Sequence, residues 1–461
     1  MLAAQFAELA ETQPELLTHH YTEAGLNEPA VGYWQRAGER AIQRSAHAEA
    51  ISHLTKELEV LQALPDTLER TRQELLLQTT LGPALMAVKG YAALEVEHTY
   101  ARARVLCQQI GDTPQFFPVL RGLWFFYLLR VELQTARELG EQLLRLAHRA
   151  HDPVLLLEAH YALGNTLNYL GELAAAQAHL EQGIALYDRQ QHRTHALLYG
   201  QDPGVACRSY AAGTLWLLGY PDQALQRSHE ALTLAQEVSH SLSLTYALWF
   251  TGWLHQYRRE GPLAQARADA VITLAAEQGF AHWWALGTML QGWARAMQGQ
   301  GQEGLAQIRQ GLAAWQTTGA RGGGPVFLAW LAETYGKGGQ AEEGLRVLAE
   351  ALALVNAGGE RRHEAELYRL KGELLLYAEC GVHQAALSAE ECFQQALTVA
   401  HHQQTKSLEL RAAMSLSRLW QQQGKRAEAY QLLADVYGWF TEGFDTADLQ
   451  DAKALLEELE G

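Results

Sequence analysis

The chain has 461 residues, with 36 basic and 52 acidic side chains and a formal net charge of −16. Hydrophobic residues make up 48% of it and charged residues only 19%, which supports a large core and excludes an extensively disordered chain. Because binding to a phosphate backbone needs a concentrated basic face, nucleic acid is not expected as a partner.

The N-terminal stretch predicts neither secretion nor membrane insertion. It has no basic segment and carries Glu8, Glu11 and Glu15 close to its start, unlike a secretory signal. The most apolar stretch, 122–129, lies between Arg121 and Arg130 and is far shorter than a membrane span. We therefore expect a cytoplasmic protein that does not enter a membrane.

An internal repeat is the main signal in the sequence. A small residue followed four positions later by a larger or apolar one recurs ten times, and six of the nine spacings between repeats are 40 residues. The other spacings are 46, 48 and 45 residues. We number the units one to ten by these pairs: Ala50/Leu54, Val96/Tyr100, Ala136/Gly140, Ala176/Leu180, Ala224/Ser228, Ala264/Ala268, Gly304/Ile308, Gly344/Leu348, Ala389/Phe393 and Ala429/Leu433.

Each unit is predicted to form two helices joined by a short turn. In unit four, Gly164 and Ala176 fall where the helices would cross, and axes about 8–10 Å apart leave room only for small side chains. Gly171 is placed to end the first helix in the left-handed conformation. Such pairs normally stack in a line, so we expect each pair to bury its apolar face only against the next.

This constellation resembles the tetratricopeptide repeat, whose usual period is about 34 residues. Unit five shows it again at Ala212, Leu215, Gly219, Ala224 and Ala231. The resemblance implies an all-α superhelix of about ten helix pairs, with helices lengthened by the longer period of this chain. The match is partial in units one, two, three and six, for example at Glu57, where a small residue is expected.

The domain boundaries follow from the array. Residues 29–440 form the repeats, residues 1–28 a preceding helical segment and residues 441–461 a helix that caps the last unit. The longest spacing, between units four and five, places an insertion at 188–204, where Tyr199 and Asp202 are candidate binding residues. The alternative is a tolerated surface loop. The long spacing between units eight and nine adds a loop near 379–388.

No pattern in the sequence indicates catalysis, a metal or a cofactor. A phosphate-binding loop and an H-E-x-x-H zinc helix are both missing. His148 and His151 have the spacing of metal ligands, but no third ligand accompanies them. The four cysteines, Cys107, Cys207, Cys380 and Cys392, lack a C-x-x-C pair and are interpreted as buried free thiols.

Aromatic and amide side chains suggest a binding groove. Counted from the crossing position, they share one face of the first helices of units four to seven, and such side chains anchor peptides and ligands. The competing interpretation is that these rings are core. The candidate groove residues are Tyr161, Asn165, Asn168, Tyr169, Trp216, Tyr246, Trp249, Trp253, Gln256, Tyr257 and Trp293. This face lacks the Lys/Arg set that clamps a peptide carboxylate in chaperone-binding tetratricopeptide domains.

Longer strings resemble one family. QPELLTHHYTEAG (13–25), EAISHLTKELEVL (49–61), LYGQDPGVAC (198–207), ELYRLKGELLL (366–376) and the segment from KSLELRAAMSLSRLW onwards are similar to the C-terminal tetratricopeptide region of bacterial predicted ATPases. Those large proteins often join a class III adenylate/guanylate cyclase domain to an AAA-type signalling ATPase. The resemblance implies that residues 1–28 follow an ATPase module, in cis or as a separate chain. No catalytic residue of that module has a counterpart here.

The sequence therefore predicts a non-catalytic arm that binds a protein, a peptide or a small ligand and relays a signal to an ATPase/cyclase module. Two alternatives stay open. The chain is a passive scaffold for assembly, or a fragment of an ATP-binding, cyclase-linked ATPase whose catalytic parts lie elsewhere.

Overall fold

The structure, a computed structural model, describes residues 14–24, 26–44, 46–111, 113–192, 194–378 and 382–460. Within these ranges the regular structure is entirely helical. The helices are α1 Pro14–Glu23, α2 Asn27–Gln43, α3 His47–Gln62, α4 Leu68–Lys89, α5 Leu94–Ile110, α6 Phe116–Leu129, α7 Leu133–Ala150, α8 Pro153–Leu170, α9 Leu173–Leu186, α10 His195–Tyr199, α11 Pro203–Leu218, α12 Pro221–Val238, α13 Ser241–Tyr257, α14 Gly261–Gln278, α15 Ala281–Met297, α16 Gly301–Thr317, α17 Gly324–Lys337, α18 Ala341–Gly358, α19 Glu364–Tyr377, α20 Val382–Gln403, α21 Lys406–Gln422, α22 Arg426–Tyr437 and α23 Ala447–Glu460.

Ten helical hairpins follow one another, which confirms the predicted helix pairs. They are α2/α3, α4/α5, α6/α7, α8/α9, α11/α12, α13/α14, α15/α16, α17/α18, α19/α20 and α21/α22. The first helix of each hairpin packs on the first helix of the next, so these helices form an inner layer and their partners an outer one. Helix α23 packs on α22 and α21. The proposed boundaries at residues 28 and 441 stay a prediction.

The ladder of small residues lies where the two helices of each hairpin meet. Each of its ten first positions is buried on the second helix of its unit. A Cβ at Gly164 would lie 2.8 Å from Leu180 Cγ and 3.2 Å from the carbonyl oxygen of Ala176. Gly171 ends α8 with φ of 80°. The small residues thus set the distance at which the paired helices pack.

The superhelix winds so tightly that successive turns touch. The backbone N–H groups of Arg321 and Gly322, which precede unit eight, donate to the carbonyl of Leu129 in unit three at 2.7 and 3.0 Å. Arg361 N–H, before unit nine, donates to the carbonyl of Tyr169 in unit four at 2.9 Å. Ser407 of unit ten donates its hydroxyl to the carbonyl of Trp216 in unit five at 2.5 Å.

These inter-turn contacts share one physical origin. Leu129 and Tyr169 lie in the last turns of α6 and α8, where the carbonyl groups have no partner within their own helix. Trp216 lies in the last turn of α11, and its carbonyl also accepts from the N–H of Gly219 at 3.0 Å. The missing donors come from the beginning of the unit that lies five repeats later. The prediction that each pair packs only against the next was therefore wrong, because free carbonyls at helix ends bind the following turn.

The C-terminal helix α23 continues the same pattern. Arg259, just after α13 of unit six, binds Asp448 and Asp451 of α23 at 3.2 and 2.6 Å. Helix α23 therefore occupies the position that the first helix of an eleventh unit would take.

The thiols and two predicted segments are placed as follows. Cys107, Cys207 and Cys392 are buried free thiols, whereas Cys380 lies outside the described residues. Residues 1–13, and residues 379–381 of the loop near 379–388, also lie outside the described ranges.

Glu57, the mismatched position of unit one, is buried without compensation. It lies on α3 with 1% of its surface exposed, and its Oε2 atom has no hydrogen-bond partner. Burial, together with the nearby charge of Glu39, raises the pKa of Glu57 to about 9. Between pH 4.5 and 9 the folded chain therefore holds a proton that the unfolded chain has lost, and this lowers stability as the pH rises.

Glu57→Gln is accordingly expected to raise the free energy of unfolding by about 1–3 kcal/mol at pH 7, since one pKa unit corresponds to about 1.4 kcal/mol. The gain should vanish near pH 4.5 and grow with pH, as measured by urea unfolding at several pH values. Glu59→Gln, an exposed change on the same helix, is the matched control. A gain that did not depend on pH would contradict the explanation.

Candidate functional site

The predicted groove residues all lie on the inner layer, and all of them are buried. Their exposed fractions range from 0% for Tyr161 to 8% for Gln256. Helices α8, α11, α13 and α15 bring them together around the superhelix axis. The side chains of the inner layer largely fill the space at the axis, because successive turns of the superhelix close over it.

Ring packing and hydrogen bonds order this aromatic set. Trp249 and Trp253 lie with ring centroids 4.6 Å apart, and Trp216 stacks on Tyr257 at 4.5 Å. The hydroxyl of Tyr161 lies 3.3 Å from that of Tyr246. Burial raises the pKa of these tyrosines, so their hydroxyls stay protonated and able to donate.

The charged segment 360–363, between α18 and α19, packs among these aromatic residues from the following turn of the superhelix. The guanidinium of Arg362 lies 4.3 Å above the ring of Tyr169 and 4.9 Å above that of Trp253. Its Nη1 atom donates to Asn168 Oδ1 at 2.8 Å. Glu360 pairs with Arg362 at 3.4 Å. Burial raises the pKa of Glu360, although Arg362 opposes the shift.

His363 completes this segment as a neutral ring. Burial, together with the charges of Arg362 and Arg411, lowers the pKa of His363 well below its usual value. The neutral imidazole can then accept a hydrogen bond from the hydroxyl of Tyr257, whose oxygen lies 2.6 Å from Nε2 of His363. These residues were not predicted from the sequence, since the run ERRHE at 360–364 is a polar connection between helices and its place at the axis depends on the winding of the superhelix.

The insertion is anchored to the inner layer rather than free at the rim. His195 of α10 lies 2.9 Å from Glu158, whose other oxygen accepts from Arg121 at 3.0 Å. Burial pulls the pKa of Glu158 upwards, but Arg121 and His195 lower it below its usual value. Gln201 donates to the hydroxyl of Tyr161 at 2.7 Å. This buried network was not predicted.

The two candidate residues of the insertion have structural contacts. Tyr199 is 5% exposed, and the guanidinium of Arg121 lies 5.7 Å from its ring. Asp202 caps α11 by accepting from the N–H of Val205 at 2.9 Å and also accepts from the hydroxyl of Tyr187 at 3.0 Å. Burial raises the pKa of Asp202. A role of either residue in binding stays a prediction.

One part of the inner layer remains open to solvent. Gln256 and Trp293 line a pocket of about 260 Å³ with side chains from α17, α19, α21 and α23. We call it the polar pocket. Its charged lining consists of five basic and five acidic residues: Arg259, Lys337, Arg369, Arg411, Arg418, Glu333, Glu366, Glu373, Asp448 and Asp451.

The charges of the polar pocket are held in place by one another. Arg369 binds Glu366 at 2.7 Å and Glu373 at 2.5 Å. Burial alone would raise the pKa of Glu366, but Arg369 and Arg411 lower it to about 2, so the carboxylate is ionised. Trp293 donates its indole N–H to Glu333 at 3.0 Å. Gln256 Oε1 has no partner although it is buried.

The inner residues of units eight to ten were not among the predicted groove residues, which come from units four to seven. They do carry a signal. Arg411, Ser415 and Arg418 recur at helical spacing on α21, as Glu366, Arg369 and Glu373 do on α19. The Lys/Arg side chains absent from the earlier units are thus present at this end of the inner layer.

Neither a metal-binding cluster nor a membrane-spanning helix is found among the residues that the structure describes. Among the residues that the structure describes, no three His, Cys, Asp or Glu side chains converge as a metal site would require. Over the same residues, no helix combines the length and apolar character needed to cross a membrane.

Comparison with known proteins establishes the fold. No protein-family model and no curated protein matches the chain. The solved structure of a Rap protein complexed with Competence and Sporulation Factor covers 87% of this chain and 99% of its own, with 12% identity and a TM-score of 0.52. The chain is a tetratricopeptide-like α-solenoid. The apo form of the quorum sensor NprR from B. thuringiensis covers 81% of this chain and 99% of its own, with 12% identity and a TM-score of 0.49.

Proposed function

We propose that the chain is a non-catalytic arm that binds a peptide, or an extended segment of a protein, on the inner layer of the superhelix. The observation that carries the proposal is the polar pocket, where Gln256 and Trp293 of the predicted groove meet a balanced set of charges. The likeness to a Rap protein solved with Competence and Sporulation Factor supports the same kind of function on a shared fold.

The chemistry of the polar pocket suits a peptide. Its volume of about 260 Å³ holds one or two residues of an extended chain. Gln256 Oε1 is an acceptor in need of a donor, and a peptide N–H supplies one. Fixed charges of both signs favour a ligand that carries both signs itself. Lys337 is 54% exposed and lies 3.8 Å from Glu333, a loose pair that leaves its ammonium able to bind a carboxylate as well.

The rest of the predicted groove would contact a partner only if the turns separated. Trp249 and Trp253 are 3% and 4% exposed in the closed arrangement. A ligand that binds the open and closed arrangements with different affinity shifts the balance between them. We propose this shift as the signal that the arm relays, and a passive scaffold would show none.

The test begins with selection from a synthetic library of random pentapeptides, followed by fluorescence anisotropy on the selected peptides. Gln256→Leu keeps the side-chain size and removes the acceptor, and it is expected to weaken binding about tenfold or more. Lys337→Ala should weaken binding of peptides with a free carboxylate and spare amidated ones. Gln134→Leu, an exposed change on α7, should leave the affinity unchanged. Failure to select any peptide, or equal binding by all variants, would refute the proposal.

The resemblance to predicted ATPases supports a finer proposal, namely that an ATPase/cyclase module receives the signal. Residues 1–28 would then join the repeats to that module. Sequencing the reading frame upstream of residue 1 is expected to reveal a phosphate-binding loop in the same or a neighbouring gene. If the arm relays a signal, binding of the selected peptide should also change the small-angle scattering profile of the chain. A passive scaffold should give the same profile with and without the peptide.

A further inference from the structure

A smaller cavity, of about 40 Å³, lies at the axis of the superhelix, apart from the polar pocket. Its walls are aromatic rings from units two to eight, and Arg362 enters it from the connection between units eight and nine. Gly322 and Gly323 of the connection before α17 close one side. We call it the axial cavity.

The axial cavity gathers N–H groups that have no acceptor. Trp249, Trp253 and Trp283 line it, and none of their indole N–H groups makes a well-formed hydrogen bond, although each side chain is almost completely buried. The indole of Trp283 has only the hydroxyl of Tyr91, which also lines the cavity, as a weak partner. The Nε–H of Arg362 also lacks an acceptor. Three other buried or half-buried tryptophans do have acceptors: Trp124, Trp293 and Trp420 donate to Thr166, Glu333 and Glu390 at 2.9, 3.0 and 2.9 Å.

The side chains that carry these donors pack against one another. The ring centroid of Trp249 is 4.6 Å from that of Trp253 and 6.1 Å from that of Trp283. The guanidinium of Arg362 is 4.9 Å from the ring of Trp253. A buried N–H without an acceptor costs about 1–3 kcal/mol, so four of them around one cavity point to an acceptor that belongs there.

We propose that the axial cavity binds a small planar oxyanion, namely a carboxylate of one or two carbon atoms. Its oxygens would accept hydrogen bonds from the indole N–H groups of Trp249, Trp253 and Trp283 and from Nε–H of Arg362. A single water needs roughly 10–15 Å³ on the same measure, so the cavity holds about three or four non-hydrogen atoms. Formate and acetate have this size.

The sign of the ligand charge follows from the rings. An aromatic box normally attracts a cation, but here the guanidinium of Arg362 already occupies the faces of Tyr169 and Trp253. A second cation would be repelled. An anion gains from the same guanidinium, and its hydrogen bonds are strengthened by charge.

This site does not depend on peptide binding in the polar pocket. A bound carboxylate would tie α13 and α15 of units six and seven to the segment that carries Arg362, and it would thus stabilise the closed winding. Release of the anion would loosen the contact between turns. The structure therefore assigns the axial cavity a role as a small-acid site that favours the closed arrangement.

The test uses the full chain with ¹⁵N-labelled tryptophan indoles and titration of sodium formate and sodium acetate up to about 50 mM, with sodium chloride holding the ionic strength constant. The signals of Trp249, Trp253 and Trp283 are expected to shift and saturate together. Trp315 is the matched control, because its indole N–H is also unpartnered but does not line the cavity, and its signal should not move.

Substitution then identifies the site. Trp253→Phe keeps an aromatic ring, removes one donor and should weaken acetate binding about tenfold, whereas Trp315→Phe should not. Neutral acetamide should bind at least about tenfold more weakly than acetate. If Trp253→Phe fails to fold, the titration of the unaltered chain still decides. No saturable shift, or the same shift at Trp315, would show that the cavity holds only water and would overturn the proposal without affecting peptide binding.

Discussion

Replacing Arg411 with alanine is expected to lower the free energy of unfolding by about 3–5 kcal/mol and to separate the last turn of the superhelix. Arg411 is 9% exposed, and its Nε atom lies 2.8 Å from Asp448 of α23. Its Nη2 atom donates to the carbonyl of Tyr257 at 2.6 Å, and its guanidinium lies 4.8 Å above the ring of Trp216. Arg411 of unit ten thus joins units five and six to the terminal helix α23.

Two measurements separate loss of stability from loss of winding. Urea unfolding gives the free energy, and small-angle scattering gives the radius of gyration, which should increase in Arg411→Ala below the unfolding transition. Arg346→Ala removes an arginine that is 74% exposed and pairs with Glu343, and it should change stability by less than about 0.5 kcal/mol. An Arg411→Ala variant with normal stability and an unchanged radius would show that the inter-turn contacts do not close the superhelix.

The second large effect is expected at the tightest helix crossing. Gly304→Ala should lower the free energy of unfolding by about 2–3 kcal/mol, despite the better helix propensity of alanine. The added Cβ would lie 2.5 Å from the carbonyl oxygen of Gly292 and 2.9 Å from the backbone nitrogen of Ala296. Backbone atoms of α15 cannot turn aside as a flexible side chain can, so α15 and α16 would have to move apart.

Gly301→Ala on the same helix provides the matched control. Gly301 begins α16, and a Cβ there would have nothing within 4 Å. Its replacement should leave stability unchanged or raise it by up to about 1 kcal/mol, because alanine restricts the unfolded chain. Both variants are compared by urea unfolding. Equal changes at the two positions would contradict the steric role of the small residues.

The hairpins could be predicted from the sequence because the interactions that form them are local. Gly171 ends a helix for reasons of backbone conformation, and Gly164 faces Leu180 on the very next helix. The regular spacing of the units repeats such contacts along the chain. The all-helical fold and the ten hairpins follow from this short-range information.

The winding of the superhelix could not be predicted in the same way. Arg321 binds Leu129, and Arg361 binds Tyr169, although the partners in each pair lie five units apart along the chain. Whether these groups meet depends on small rotations between neighbouring hairpins that accumulate over those five units. The free carbonyls at helix ends are visible in principle, but their partners are not.

The candidate site shows the same division. Helical spacing placed Trp249, Trp253 and Gln256 on the inner layer, where the structure has them. It did not show that the following turn closes over the two tryptophans, nor that Arg362 lies between the rings. Those features depend on contacts between distant units and could be found only from the three-dimensional structure.

Hydrogen exchange at the backbone amides of Arg321, Gly322 and Arg361 tests the closed superhelix most directly. These amides lie in connections between helices and donate to carbonyls five units away. If the turns touch in solution, they should exchange thousands of times more slowly than the amide of Gly339, which lies in another connection and donates within its own turn. Exchange as fast as that of Gly339 would show that the turns of the superhelix do not touch in solution.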